Sequence, residues 1–370
     1  MSDDHRFLEP ECTADVVEAV KECVVEDTAL QIRDAGQTAF KDSVRHLSLP
    51  RMKDVVDYPA RDMTITVQAG MPACELNQIL VQERQQLPID CFRSDASVGA
   101  IVASDTAGPR QYGYGTLRDY VIGIEAVDGQ GRVFHAGGRV VKNVAGYDLC
   151  RLLVGSRGVL AVITQLTFKL KPLPDQTMLQ RFRCQDVEAF SSTLDRLNTS
   201  AATPVILDFS CRPAGHEFGP GSAEYEICVG VEGSSQSCQW QMEQLQQECE
   251  ACVEVPSESQ SSADDTLDQY CRSFGYAWDC LTIRCRPSQV AAISSRLAAN
   301  GYGSVGHAGT GIVHVVSDQP KSEIRSVAEQ VAATSDAIVF DWDTDHPADS
   351  QDKLNQRLRQ TFDPHSVFRR

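Results

Sequence analysis

The fold is decided by the stretch Ser94-Asp-Ala-Ser-Val-Gly-Ala-Ile-Val-Ala-Ser-Asp-Thr-Ala-Gly-Pro-Arg110, together with the later run Gly137-Gly-Arg-Val-Val-Lys-Asn-Val-Ala-Gly-Tyr-Asp-Leu-Cys150. Glycine and other small residues recur in both runs, which is typical of backbone that comes close to a ligand. The run from Ser97 to Gly108 can present consecutive N–H groups to a pyrophosphate. Neither the G-x-G-x-x-G loop nor the G-x-x-x-x-G-K-[ST] loop is present, so the two common phosphate loops are excluded.

The composition narrows the class of protein around this stretch. A chain of 370 residues is long enough for two domains. Its formal charge of −17 argues against nucleic acid or an anionic membrane as a partner. No apolar run is long enough for a membrane span, and the N-terminus lacks the signature of a signal peptide. With 14 cysteines scattered along the chain, we expect a reducing, cytoplasmic location and no disulfide framework.

Hydrophobic periodicity predicts alternating strands and helices on both sides of a proline-containing linker at 171–174. Before the linker, residues 13–25 read as a helix and residues 64–70 as a strand. Beyond the linker, the predicted elements are strands at 205–211 and 224–232, a helix at 237–252, a strand at 280–286, a helix at 287–299, a strand at 307–316, a helix at 320–333 and a strand at 337–343. This order predicts an α+β fold, with helices on one face of an antiparallel sheet.

The sequence resembles a known flavoprotein family at these motifs. Ala96–Ala100 with Thr106–Arg110 resembles the second FAD-binding segment of the vanillyl-alcohol-oxidase, or p-cresol-methylhydroxylase-type, flavoproteins. Arg139–Leu149, followed by Gly155–Gly158, is similar to the smaller FAD-binding subunit of bacterial glycolate oxidase. The resemblance implies a two-part FAD-binding domain at 1–174, a smaller α+β cap domain at 175–346, and a tail at 347–370 that returns to the FAD domain.

The resemblance also implies which residues contact the cofactor. Those expected near the FAD phosphates and the flavin edge are Arg33, Gly36 and Thr38 in a first loop, and Ser97, Val98, Gly99, Thr106 and Gly108 in the second segment. Gly158 and Ile163 are expected at the adenosine end, and Asn143 and Tyr147 near the pyrimidine ring of the flavin. Each group has a structural alternative: a tight Gly/Ser loop, ordinary sheet packing, or a loop whose polar side chains bind local backbone.

The first loop departs from the family pattern. Asp34 and Ala35 stand where the relatives carry glycines. A carboxylate near a pyrophosphate is repulsive, and a Cβ at a position of positive φ costs about 1 kcal/mol. Residues 33–38 contain no His or Cys, the residues through which relatives attach the flavin, so we expect FAD to be bound without a covalent link.

Two other motifs invite a metal or catalytic interpretation. His307-Ala-Gly-Thr-Gly-Ile-Val-His314 is similar to the His-x-Gly-Asp-Gly-Asn-x-His pattern of flavin 2-hydroxyacid dehydrogenases, but Thr310 and Ile312 replace its Asp and Asn. The spacing predicts two histidines on opposite faces of one strand, unless the glycines form a bulge. Cys249-Glu-Ala-Cys252 has no second cysteine pair to complete a metal or iron–sulfur site. We therefore predict no metal site and assign no catalytic residue.

The resemblance implies a function at the level of a complex. The chain is expected to be an FAD-binding subunit of a glycolate or 2-hydroxy acid oxidase, in a hetero-oligomer with a sister flavoprotein subunit and an iron–sulfur subunit. Two alternatives remain open. One is a self-sufficient FAD-dependent oxidoreductase acting on an alcohol or a 2-hydroxy acid, and the other is a non-enzymatic structural subunit that has lost FAD.

Overall fold

A computed structural model describes residues 6–34, 44–90, 95–106, 108–138, 148–213, 223–255, 280–341 and 353–368. The chain divides into two compact units. Unit 1 comprises Met1–Ala107, Thr116–Leu173 and His346–Arg370, and unit 2 comprises Gly108–Gly115 and Pro174–Asp345.

The described residues form helices in both units. In chain order they are α1 Thr13–Val25, α2 Ala73–Gln82, α3 Val98–Ser104, α4 Gln111–Tyr114, α5 Leu117–Tyr120, α6 Leu149–Leu153, α7 Val187–Asn198, α8 Ser235–Glu248, α9 Val290–Ala299, α10 Lys321–Ala333 and α11 Lys353–Phe362. Short 3-10 turns lie at Ala60–Asp62, Pro287–Gln289 and Ala308–Thr310.

The described strands follow the same order along the chain. They are β1 Phe7–Leu8, β2 Leu30–Ile32, β3 Arg45–Leu47, β4 Val55–Asp57, β5 Thr64–Gln68, β6 Gln85–Gln86, β7 Val121–Asp128, β8 Val133–Gly137, β9 Ala161–Lys169, β10 Lys171–Pro172, β11 Gln176–Cys184, β12 Ile206–Arg212, β13 Glu224–Gly233, β14 Cys252–Val255, β15 Leu281–Arg284, β16 Gly303–His307, β17 Ile312–Val316 and β18 Ile338–Asp341.

Unit 1 contains two principal sheets among its described residues. The smaller is parallel, in the order β1-β3-β2, and the larger is antiparallel, in the order β4-β5-β9-β7-β8. The residues of α1 that recur at helical spacing, from Val16 to Cys23, are buried in a core with Leu30 of β2 and Leu47 of β3. This burial of one helix face explains why residues 13–25 form a helix, as predicted.

The segment after α11 completes that core. Both carboxylate oxygens of Asp363 accept backbone N–H groups, from Val367 at 2.8 Å and from Phe368 at 3.0 Å. The side chain of Phe368 is 1% exposed and packs in the core of α1 and β2. The N–H of Leu30 donates to the carbonyl of Val367 at 2.8 Å, so residues from the two distant parts of the sequence form one structure.

Unit 2 is a two-layer α+β structure. Its described strands form an eight-stranded sheet in the order β14-β11-β13-β12-β16-β17-β15-β18, and every adjacent pair is antiparallel. Alternate residues of these strands, among them Phe209, Ile227 and Ile283, are fully buried in one core with residues of α7 to α10. The predicted α+β fold class is confirmed. Apolar residues recur at every second position of the strands because one face of the sheet is buried against the helices.

The segment Gly108–Gly115 belongs to unit 2, although the chain on both sides of it belongs to unit 1. A buried ion pair within unit 2 holds it, since Arg110 Nη1 lies 3.3 Å from Glu232 Oε1. The hydroxyl of Tyr114 also donates to Glu232 Oε2 at 2.5 Å. The Glu232 side chain is 2% exposed, so this carboxylate depends on its partners for solvation.

Three predicted elements differ from the structure. The predicted strand at 307–316 is wrong: the 3-10 turn Ala308–Thr310 makes it a hairpin of β16 and β17. The helix predicted at 237–252 ends at Glu248, and Cys252 begins β14. The predicted linker carries the short strand β10, whose Lys171–Pro172 pairs with β6.

Candidate functional site

Ser97 occupies the N-cap position of α3, at the start of the predicted second segment. Its backbone is extended, and its Oγ accepts the N–H of Ala100 at 3.2 Å. A serine at this position satisfies one of the amide groups that a helix start leaves unbonded. The local sequence thereby fixes where α3 begins and where the Ser97 amide points.

That amide donates to a carboxylate. The N–H of Ser97 lies 3.2 Å from Oδ1 of Asp34, the residue that stands in place of a family glycine. The first loop and the second segment are therefore joined directly, 63 residues apart in sequence. In this structure a carboxylate oxygen thus occupies the hydrogen-bonding position at the Ser97 N–H.

The next two amides of the run from Ser97 to Gly108 donate to backbone carbonyls within unit 1. The N–H of Val98 donates to the carbonyl of Met71 at 2.9 Å, and the N–H of Gly99 donates to the carbonyl of Ala69 at 2.8 Å. A Cβ at Gly99 would lie 2.8 Å from the oxygen of Ala69. Close packing of α3 on the chain after β5 accounts for the glycine, and contact of Val98 and Gly99 with a cofactor stays a prediction.

The turn at Gly155–Gly158 binds the other end of α3. The N–H of Gly155 donates to the carbonyl of Val102 at 3.0 Å, and the N–H of Arg157 donates to that of Ala103 at 2.8 Å. Gly158 has a φ of +72°, and a Cβ there would lie 2.9 Å from Cδ1 of Ile32. The turn thus touches the strand that leads into the first loop, and three predicted segments of unit 1 meet around α3.

One buried hydroxyl in this turn lacks a hydrogen bond. Ser156 is 6% exposed, and its Oγ has no hydrogen-bond partner within the part of the chain that the structure describes. A buried hydroxyl that forms no hydrogen bond costs about 1–3 kcal/mol. A polar ligand atom at this turn would remove that cost.

The remaining predicted cofactor residues have separate positions. Arg33 donates to Oε1 of Gln31 at 3.2 Å, and partial burial lowers the pKa of its guanidinium. The hydroxyl of Thr106 lies 2.6 Å from that of Ser104, and Ile163 is buried in β9. Gly108 lies in unit 2. The predicted residues outside the described ranges are Gly36, Thr38, Asn143 and Tyr147.

Unit 2 contains a row of polar side chains across its sheet. Nδ1 of His307 on β16 lies 2.8 Å from Oδ1 of Asp208 on β12, and both side chains are buried. Nδ1 of His314 on β17 lies 3.0 Å from Oγ1 of Thr282 on β15. The hairpin places the two histidines on one face of the sheet, because Val305 pairs with His314 and Val305 and His307 are two residues apart. The prediction of opposite faces is therefore wrong.

The two histidines lie close enough to influence each other. Their ring centroids are 6.2 Å apart and the rings are perpendicular. Burial lowers the pKa of His314 to about 3, with further contributions from His307 and Arg284. His314 is consequently neutral at physiological pH. The described residues include no group of three or more His, Cys, Asp or Glu side chains that could hold a metal ion.

Comparisons with known proteins agree with the geometry of unit 1. A family model described as an FAD binding domain matches residues 5–137, which include the first loop, α3 and the strands around them. This chain has an FAD-binding domain. FAD is its cofactor, as predicted.

Curated relatives are similar to about half of this chain. Glycolate oxidase subunit GlcE of Escherichia coli is 33% identical over 181 residues, which are 48% of this chain and 52% of that protein. Glycolate oxidase subunit GlcD of Bacillus subtilis is 29% identical over 213 residues, which are 55% of this chain and 45% of that protein. The chain thus spans about half the length of the curated relatives it matches.

The fold has a solved counterpart. An alkyldihydroxyacetonephosphate synthase structure superposes with a TM-score of 0.70 and 14% identity, over 98% of this chain and 75% of the other. Such a likeness shows the fold of this FAD-binding chain. In the described part of the chain, no helix combines the length and the apolarity that crossing a membrane requires.

The donors at α3 fit FAD. The Ser97 amide already binds an anionic oxygen, as it would bind a phosphate oxygen, and the Ser156 hydroxyl is buried and available. The helix between them has seven residues and is about 10 Å long, a span over which an extended dinucleotide can contact both ends. Asp34 is the residue that such a phosphate would displace or repel.

Ser156 and Asp208 were not predicted from the sequence. Ser156 lies inside the segment Gly155–Gly158. Its hydroxyl is notable only because it is buried without a hydrogen bond, and the sequence does not reveal that burial. Asp208 interrupts the apolar run Val205-Ile-Leu-Asp-Phe209, and a carboxylate in such a strand is a signal of a buried partner. Its distance of 99 residues from His307 hid that partner.

Proposed function

We propose that this chain is the FAD-binding subunit of a complex that oxidises a small 2-hydroxy acid of the glycolate type. The observation that carries the proposal is the similarity to a glycolate oxidase subunit over 181 residues, on a chain with an FAD-binding domain. Bound FAD supplies the acceptor for the hydride of the substrate α-carbon. The expected partners are a sister flavoprotein subunit and an iron–sulfur subunit.

In this proposal, unit 1 holds and orients the cofactor. We assign the pyrophosphate to the Ser97 amide, with Arg33, Gly36, Thr38, Val98, Gly99 and Thr106 around it. The Ser156 hydroxyl, Gly158 and Ile163 serve the adenosine end, and Asn143 and Tyr147 serve the flavin ring. A backbone amide and a neutral hydroxyl suit an anionic ligand, because they donate hydrogen bonds and carry no charge of their own that would have to be buried.

The need for a sister subunit is supported by the two replacements in the histidine motif of unit 2. The hydroxyl of Thr310 donates to the carbonyl of His307 at 3.4 Å, and the side chain of Ile312 has no polar group. Oxidation of a 2-hydroxy acid needs a base for the hydroxyl proton and a cation for the carboxylate. We propose that the sister subunit supplies the fuller set of these groups.

A second candidate is the self-sufficient oxidoreductase, and the Asp208–His307 contact favours it. A carboxylate on Nδ1 holds the imidazole so that Nε2 can accept a proton, which is how many general bases are oriented. In this candidate His307 would take the substrate proton without help from another subunit.

Turnover by the isolated chain separates the two candidates. We expect purified chain to show flavin absorbance near roughly 370 and 450 nm and to reduce a dye acceptor with glycolate far below about 10 per second, the ordinary rate of an enzyme. Addition of the sister and iron–sulfur subunits should raise the rate. Ordinary turnover by the chain alone, abolished by His307→Ala and kept by the exposed control His135→Ala, would establish the second candidate instead.

A further inference from the structure

Two cysteines of unit 2 face each other across neighbouring strands. Cys184 ends β11 and Cys252 begins the edge strand β14, and the register pairs them directly. Their sulfur atoms are 2.8 Å apart. Directly opposed residues of an antiparallel pair have Cα atoms about 4.5–5.5 Å apart, which lies within the range that a disulfide requires. A bond between them therefore needs little movement of the backbone.

The surroundings of Cys252 favour its thiolate. Its sulfur lies within 3.5 Å of Oγ1 of Thr193, and Arg196 donates to that same Oγ1 at 3.4 Å. The pKa of Cys252 is lowered by the hydrogen bond from Cys184, by that from Thr193 and by the charge of Arg196, against an opposing effect of burial. Nε of Arg196 is buried without a hydrogen-bond partner in the described part of the chain.

The three cysteines of this region have different reactivities. Cys252 is partly exposed, whereas Cys184 is 4% exposed. Cys249, the other member of the C-x-x-C motif, is 1% exposed, and burial raises its pKa to about 12. The thiolate is the nucleophile in thiol–disulfide exchange, so Cys252 is the attacking residue. The reactive pair is thus Cys252 with Cys184 across the sheet, and the C-x-x-C spacing is incidental.

We propose that Cys184 and Cys252 form a reversible thiol–disulfide couple that exchanges with small-molecule disulfides such as oxidised glutathione. The Cys252 thiolate attacks one sulfur of the small disulfide and releases a thiolate, which takes up the Cys252 proton. Cys184 then gives up its proton and attacks the sulfur of Cys252, and this releases the second small thiol. Two cysteine thiols lose two electrons, and one disulfide is reduced to two thiols.

The bond would fasten the edge of the sheet. β14 is held by β11 on one side and is the terminal strand of the described sheet, so its other edge has no strand beside it there. A link from Cys184 to Cys252 closes the chain through α7, β12, β13 and α8 and lowers the entropy of the unfolded state. The oxidised protein should therefore melt at a higher temperature than the reduced protein.

Peptide mapping tests the couple directly. The full chain is equilibrated with excess oxidised glutathione, acid-quenched, alkylated and digested, and the peptides are weighed. We expect a Cys184–Cys252 linked peptide that is lighter by two hydrogen atoms, lost again after dithiothreitol. Cys249→Ser is the matched control and should keep the link. In Cys184→Ser we expect glutathione to remain attached to Cys252, because the resolving thiol is gone.

Three results would overturn the proposal. The first is native wild-type protein in which both thiols stay open to alkylation under excess oxidised glutathione. The second is a link between Cys249 and Cys252. The third is a stable glutathione adduct on Cys252 of the wild type, which would show that Cys184 does not resolve it. Because these readouts use the wild type, they do not depend on whether a variant folds.

Discussion

At the scale of single residues, the contact between Asp34 and Ser97 gives a test of the proposed position of the cofactor. The carboxylate lies on the amide that we assign to a phosphate oxygen, so the two anions compete for one donor. Asp34→Asn removes the charge and keeps an oxygen for the amide. We expect FAD to bind about tenfold more tightly, equal to about 1.4 kcal/mol, since one repulsion near two phosphates is gone.

Titration of apoprotein with FAD, followed by flavin fluorescence, measures the effect. Asp62→Asn, which removes an exposed carboxylate from a 3-10 turn of unit 1, is the matched control and should leave the affinity unchanged. Weaker binding by Asp34→Asn would show that the carboxylate itself orders the site for the cofactor.

His314 should make stability depend on pH. Burial lowers its pKa from 6.5 to about 3, so between these values the unfolded chain binds a proton that the folded chain rejects. Stability therefore falls as pH falls from 6.5 toward 3, by at most about 1.4 kcal/mol per pH unit. His314→Gln should flatten this part of the profile.

Urea unfolding between pH 7.5 and pH 4.5 (roughly the range over which the imidazole of the unfolded chain titrates) measures the slope for each variant. His135→Gln, which alters an exposed histidine, should keep the slope of the wild type. Equal slopes for wild type and His314→Gln would mean that the imidazole is solvated and titrates normally.

Residue identity allowed part of this site to be predicted. The serine, glycine and alanine pattern drew attention to Ser97–Gly108 and to Gly155–Gly158, because small residues are required wherever backbone segments meet closely. The pattern did not predict the helix α3. It did not reveal that the amides of Val98 and Gly99 bind carbonyls of unit 1. The hydrogen-bond partner of an amide depends on which chain packs beside it, and that is a tertiary property.

At the scale of elements, the turn at Gly155–Gly158 packs against Ile32 of β2, the strand that leads into the first loop. Gly158→Ala places a Cβ at a φ of +72° and within 2.9 Å of Ile32 Cδ1. We expect it to lower the free energy of unfolding by about 2 kcal/mol and to weaken FAD retention. Ile32→Val deletes the clashing methyl group and should restore part of the loss.

A double-mutant cycle over Gly158→Ala and Ile32→Val measures this coupling by denaturant unfolding. Ile32→Val alone should cost about 0.5–1.5 kcal/mol, and the double variant should be more stable than the sum of the two losses predicts. Simple additivity would mean that the cost of Gly158→Ala lies in its backbone conformation alone.

Periodicity predicted most of the long elements. α1, β5 and β13 agree with their predicted ranges to within two residues, because each buries one face or alternates along a half-buried sheet. The hairpin of β16 and β17 was missed because His307–Val316 is apolar enough for one strand. Its turn depends on Gly311, whose φ is +72° beside the carbonyl of Cys285, a contact that the local sequence cannot indicate.

At the scale of the whole molecule, the attachment of FAD can be tested. We expect non-covalent binding, because residues 33–38 contain no His or Cys. Acid precipitation should release all flavin into the supernatant, and the intact mass of the denatured chain should equal that of the sequence. A yellow precipitate, or an added mass equal to that of FAD, would contradict this expectation.

The division into units was only partly accessible from sequence. The prolines near residue 174 indicated a change between compact parts, but nothing local marks the passage of Gly108–Gly115 into unit 2. That passage depends on Arg110 and Tyr114 meeting Glu232, more than 100 residues later. A charge pair with such a separation leaves no periodic signal.

The contact of Phe368 and Val367 with β2 and α1 has a consequence for biosynthesis. Residues 174–345, the larger part of unit 2, form a continuous stretch that is synthesised before the segment 353–368. The nascent N-terminal half must therefore wait, with the apolar surface of α1 and β2 uncovered, while unit 2 acquires its structure. We expect unit 1 to complete its core only after the segment 353–368 is available, and the incomplete core to be what molecular chaperones recognise.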